Sequence, residues 1–196
     1  MFDQTCTFLL MTIGFIVWLF LTIFYLFEMK KAYVSKENIS KKASISIWFM
    51  ELVHTMLVAG SSFFGFWLIQ IDTKISILLG MILIIIGLIL MLGGMKEFGS
   101  IKKLSGLDNS KLVTTGIYKY SRNPQYLGWF ITLFGISFLG HSILSFLLTF
   151  LFIVIIHFRI IKLEEPYLSR IFGNEYELYK KSTSRYFSIS KKQDYC

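Results

Sequence analysis

Of 196 residues, 55% are hydrophobic and only 16% are charged, where a soluble domain carries about a quarter. With a mean hydropathy of +0.63, the chain has too few polar residues to coat a water-soluble domain, and the bilayer is the solvent to consider. The formal charge of +8 needs no nucleic acid to explain it, since basic residues beside apolar spans are favoured by anionic lipid.

Five apolar blocks, at roughly 6–27, 45–70, 76–95, 125–140 and 143–161, are separated by short polar segments. The first three are long enough to cross ~30 Å of hydrocarbon at ~1.5 Å per residue. The last two are about 16 and 19 residues, and with only "LGHS" (Leu139 to Ser142) between them they read as a helical hairpin. The expected fold class is all-α: one integral membrane domain with five transmembrane helices, three in 1–95, then a loop, the hairpin and a cytoplasmic segment in 96–196. Asp3 in place of a basic start, and no small-residue cleavage site, predict that the first span is retained. Cys6 and Cys196 offer no disulfide framework or metal spacing, and no metal is expected.

Basic residues fix the expected orientation. Lys74 alone among 20 Lys and Arg falls on one side of the five-span scheme. The amino terminus is therefore expected outside and the carboxyl terminus in the cytoplasm.

Span two carries Glu51 and His54, followed by Val58, Ser61, Ser62 and Gly65 on a similar stripe, and span five carries His157. Polar groups at such depth face a bundle interior and often mark substrate paths. Either histidine could accept a proton or serve only as a structural hydrogen-bonding group; no residue is assigned as catalytic. Gly128, Thr132 and Gly135 form a small-residue stripe on span four, expected to pack closely within the hairpin.

Asn123 before Pro124 reads as an N-cap and first helical residue, so span four should begin at Pro124. Its amino-terminal end and Arg122 suit an anion. At the far end of the hairpin come Glu164 and Glu165, within about four residues or ~6 Å of Arg122 along the axis. Pro166 should end or kink that helix. Two carboxylates there oppose the helix dipole and each other, and their partners are either Arg122, Arg159 and Lys162 or a cationic ligand. A site cationic on one rim and anionic on the other suits a zwitterion such as S-adenosylmethionine, with Tyr118, Tyr120 and Tyr126 as candidate walls for its adenine.

"KLVTTGIYKYSRNPQYLG", an apolar hairpin, "EE" and "FGNEYELYKKSTSRYF" together resemble the membrane methyltransferase group that includes isoprenylcysteine carboxyl methyltransferases and phospholipid N-methyltransferases. The resemblance runs from about Lys111 to Phe187. It implies a pocket for S-adenosylmethionine at the cytoplasmic end of the hairpin and an amphiphilic acceptor drawn from the bilayer. Carried over by position, it assigns cofactor contacts to Ser110, Lys111, Leu112, Val113 and Tyr118, to Asn123, Pro124, Gln125 and Tyr126, and to Glu164 and Glu165. Arg159 is the candidate for acceptor binding. Ser110 and Asn123 stand where the group usually has histidines, Ile160 where prenylcysteine enzymes have a basic residue, and Ser188 where a proline often closes the last motif. The alternatives are an NADPH-dependent membrane reductase of sterol-reductase type, against which the paired acids argue, and a non-enzymatic scaffold or transporter.

Overall fold

The computed structural model describes residues 4–35 and 38–187; Ser188 and Cys196 lie outside the described residues. The described chain is helical: α1 (Gln4–Ser35), α2 (Lys41–Phe63), α3 (Thr73–Glu97), a single turn α4 (Ile101–Leu104), a 3-10 turn (Gly116–Lys119), α5 (Pro124–Gly140), α6 (Ile143–Arg159), a π turn (Ile160–Glu164), α7 (Glu165–Phe172) and α8 (Asn174–Ser182). Among the described residues, four helical stretches are long and apolar enough to cross a membrane: Thr5–Ala32, Lys41–Phe63, Thr73–Glu97 and Ile143–Phe172. The 17 residues of α5 reach only ~25 Å at ~1.5 Å per residue.

Local chemistry sets several helix starts. Ser40, Asp72 and Ser142 each accept a hydrogen bond from the backbone N–H three residues on, at 3.1, 3.0 and 3.3 Å, satisfying an otherwise orphan donor. The second apolar block is not helical to residue 70: α2 stops at Phe63, because Gly65 and Trp67 turn the chain through left-handed backbone at φ 62° and 53°. The turn between α2 and α3 meets the turn between α5 and α6, where Ile69 N donates to His141 O (2.7 Å) and Ile143 N to Trp67 O (2.9 Å).

Pro166 does not end its helix. The turn before it widens to π geometry, with Glu165 N donating to Ile160 O, and α7 continues with Glu165 at helical dihedrals. A wider turn is a known accommodation where the i to i−4 ladder is interrupted. It also shifts the helical phase, so that Glu164 lines a cavity and His157 does not.

The polar stripe of α2 faces inward: Glu51, His54, Val58 and Ser61 are all buried. His54 Nε2 lies 3.1 Å from Leu148 O on α6, with its ring stacked on Phe152. Ser62 Oγ lies within hydrogen-bonding distance of Ile136 O (3.0 Å) and Ser145 Oγ (2.9 Å). These bonds tie α2 to both α5 and α6.

The Gly128, Thr132, Gly135 stripe packs on α3, not within the α5–α6 pair. Gly80, Gly87 and Gly94 recur every seventh residue of α3 and lie against α5. A Cβ on Gly87 would lie 2.6 Å from Gly128 O, and one on Gly135 would lie 2.7 Å from Gly80 O. Backbone meets backbone there, as close helix approach in lipid requires.

Candidate functional site

A cavity opens at the end of the bundle formed by the start of α2, the end of α3, the start of α5 and the end of α6. One wall is the segment after α4. Trp48 Nε1 donates to Ser105 Oγ (3.1 Å), Ile39 N to Gly106 O (3.1 Å), and Asn109 Nδ2 to Tyr167 OH (2.6 Å) and Asn38 Oδ1 (3.0 Å). An irregular segment so pinned keeps its shape.

A second wall is aromatic. Tyr118 lies edge-on to Phe98 with ring centroids 5.7 Å apart, and its hydroxyl donates to Gln125 Oε1 (3.3 Å). Tyr179 OH donates to Tyr118 O (2.7 Å), which fixes the 3-10 turn against α8. Burial pushes the phenols of Tyr118, Tyr176 and Tyr179 above their usual pKa, so they remain neutral donors across the physiological range.

The acids form two separate pairs. Glu165 accepts two hydrogen bonds from Arg185, Nε to Oε1 at 2.7 Å and Nη2 to Oε2 at 3.0 Å. Arg122 approaches the same carboxylate at 3.2 Å. The bond to Glu165 raises the pKa of Arg185 further. Glu164 faces Arg159 at 3.5 Å, and its Oε2 is buried without a hydrogen bond. Arg159 is 2% exposed, with its guanidinium over the rings of Tyr25 and Tyr126 at 5.2 and 4.8 Å. Lys162 is exposed and makes no ion pair with either glutamate among the described residues.

Asn123 is not the side-chain cap expected of it. α5 does begin at Pro124, but no side chain caps its first turn. Asn123 Nδ2 instead donates to Arg185 O at 3.1 Å, while Arg122 N donates to Ser184 O at 3.0 Å. At φ −136° and ψ 53° its side chain reaches the returning chain. The stretch 183–187 is thus strapped across the start of α5, and Tyr186 OH meets His157 Nδ1 at 2.8 Å.

Of the residues singled out in the sequence, Lys111, Leu112, Val113, Tyr118, Asn123, Gln125, Tyr126, Glu164 and Glu165 line this cavity. Ser110, Pro124 and Arg159 are not among its lining residues. Ser110 is exposed, its backbone N–H donating to Asp108 Oδ1, and Arg159 lies behind Tyr25 and Tyr126. Tyr120 is 49% exposed and walls nothing in it. His54 is outside it, whereas Glu51 is on its wall. Sequence reasoning missed Arg185, although it falls inside the quoted terminal motif, and also Tyr25, Asn109 and Tyr167, which carry no local signature.

Comparison with known proteins joins these parts. Residues 75–175 match the model of the phospholipid methyltransferase family, a span that holds α3, the pinned segment, α5, α6 and both glutamates but stops short of Arg185. The protein-S-isoprenylcysteine O-methyltransferase of Saccharomyces cerevisiae is 34% identical over 134 residues, 66% of this chain and 54% of that protein. The Schizosaccharomyces pombe protein of the same name is 43% identical over 70 residues, 36% and 30% of the two chains. Phosphatidylethanolamine N-methyltransferase B of Dictyostelium discoideum is 30% identical over 112 residues, 55% and 56%. The chain therefore spans about half, or less, of the length of the relatives it matches. With more than half of its residues inside the family match, and the cavity walls mostly within it, the chain belongs to the phospholipid methyltransferase family.

Proposed function

We propose that this chain is an integral membrane methyltransferase that takes its methyl group from S-adenosylmethionine at a cytoplasmic mouth and passes it to a lipid-soluble acceptor. One observation carries the reading: a single cavity joins a pinned polar segment and a charged helix mouth to an apolar space between membrane-type helices. The residues present fit the donor. Glu164 Oε2, buried without a hydrogen bond, is an acceptor for a positively charged group, and neutral tyrosines and Phe98 offer flat apolar faces for a heteroaromatic ring. The uncapped first turn of α5 and Lys111 suit a carboxylate.

When bound, S-adenosylmethionine supplies a methyl group on a positively charged sulfur, open to attack by a nucleophile. The protein's part is placement. Asn109, Gln125 and the tyrosine hydroxyls orient polar edges, while the Arg122–Glu165–Arg185 cluster holds the strap over the mouth. The apolar end, with Met91, Met95 and Trp129, admits an acceptor chain and excludes water. In this reading α5 completes a fifth crossing, the domain is 1–196, and the amino terminus lies outside with the carboxyl terminus in the cytoplasm. The 19 to 1 division of Lys and Arg supports that orientation.

Thermal unfolding of the purified chain tests the donor. S-adenosylhomocysteine at about a hundredfold over its dissociation constant should stabilise it by ~2.7 kcal/mol, and NADPH should not. Stabilisation by NADPH alone would overturn the reading in favour of a reductase.

A further inference from the structure

Glu51 is not among the residues assigned to the donor above. It is 5% exposed on α2 and lines the cavity. Yet among the described residues its carboxylate has no hydrogen bond and no ion pair. It shares one face of α2 with Ser44, Ile47 and Trp48, at the spacing that stacks side chains along a helix. About ten residues from the start of α2, it lies ~15 Å along the helix, and Met91, Trp129 and Ile160 line the same cavity.

The charges around it are specific. Arg159, the cation that acts most on Glu51, is engaged by Glu164 at 3.5 Å and covered by Tyr25 and Tyr126; Arg122 is engaged by Glu165. Of the acids lining the cavity, Glu51 alone has neither a hydrogen bond nor an ion pair among the described residues, and the lysines on its wall, Lys103 and Lys111, come from α4 and the segment after it. An acid at such depth without a partner opposes folding, and a carboxylate ligand brought beside it would add repulsion.

We propose that Glu51 selects the acceptor: it receives a protonated amine headgroup at the lipid end of the cavity and disfavours a carboxylate there. This rests on the methyl-transfer reading above. An ammonium has no lone pair, so its proton passes first to a Glu51 carboxylate oxygen. The freed nitrogen pair then forms the N–C bond, while the C–S pair of the sulfonium methyl donor stays on sulfur as a neutral thioether. The proton held by Glu51 leaves through the polar mouth.

The test uses the full chain in dodecylmaltoside micelles, with radiolabelled dodecylamine and dodecanoate as probes of equal length and opposite charge. The wild type should bind the amine at least tenfold more tightly. Glu51→Gln should lose tenfold or more of the amine affinity and none of the carboxylate affinity, Glu51→Asp should recover part of it, and the ligand-free melting temperature of Glu51→Gln should equal or exceed that of the wild type, because no bond is lost. Unchanged amine binding by Glu51→Gln, a wild-type preference for dodecanoate, or early melting of Glu51→Gln would each overturn the proposal. S-adenosylhomocysteine stabilisation, followed in the same samples, judges the donor reading separately: its loss in the wild type removes that reading, while the probe affinities still decide whether Glu51 selects amines.

Discussion

α5 is held from two sides in opposite ways. Along its length it meets α3 through glycines, where backbone approaches backbone beside Thr132, Leu139 and Ile84; at its start it is held by three arginines and two glutamates. The glycine contact is a fit of shape that works in one geometry only and gains nothing from charge. The mouth depends on balance, since each ion is tolerable there only while its partner is present. A fixed rail and an adjustable end are what a chain needs if it must hold a helix still while exchanging a charged ligand.

The sharpest way to break this contrast is Arg159→Met. Leaving Glu164 buried and unpaired should cost ~3–5 kcal/mol, and Arg159→Met with Glu164→Gln should regain most of it, because removing both ions is often neutral. Chemical denaturation of the single and double variants measures this; a double variant as unstable as the single would show that Arg159 serves by packing on Tyr25 and Tyr126. A smaller effect is expected from Gly87→Ala, at ~1–3 kcal/mol for overpacking. It should be unrelieved by any second change at the mouth, and melting curves of Gly87→Ala combined with Arg159→Met should give additive losses. Strong non-additivity would mean the two regions are one unit.

The smallest change separates two roles for Asn123. Were it an N-cap, Asn123→Asp would be neutral, since aspartate caps as well. As a donor to Arg185 O it should lose ~1 kcal/mol on change to Ala, and more on change to Asp, which sets an acceptor against an acceptor. Limited proteolysis of the 183–187 segment reads the release, and equal protection of Asp and wild-type forms would restore the capping role.

These cases also show what was legible in the sequence. Helix positions were, because apolar runs and residues such as Pro124 act locally; the end of the second helix was lost where Gly65 sits in an apolar run that reads on to residue 70. The glycine stripe of α5 was visible, but a stripe names a close approach without naming the neighbour, and α3 could be found only in three dimensions. Most of the motif residues line the cavity, yet Arg185 was not paired with Glu165. Twenty residues separate them, and no periodicity links a returning strap to a helix end. Pro166 allowed an end or a kink, and the end did not occur for a related reason: the rule concerns an ideal α-helix, and one wide turn removes the conflict.

The stitch between the two turns, Ile69 to His141 and Trp67 to Ile143, has a mechanical meaning. It joins α2–α3 to α5–α6 at the end opposite the cavity, so relative tilting of the helices pivots there. With α5 locked to α3, a lever arm of ~25 Å means that a tilt of ~10° between α2 and the α3–α5 pair widens the far end by ~4 Å. Motion too small to disturb the pivot is thus amplified where the cavity opens.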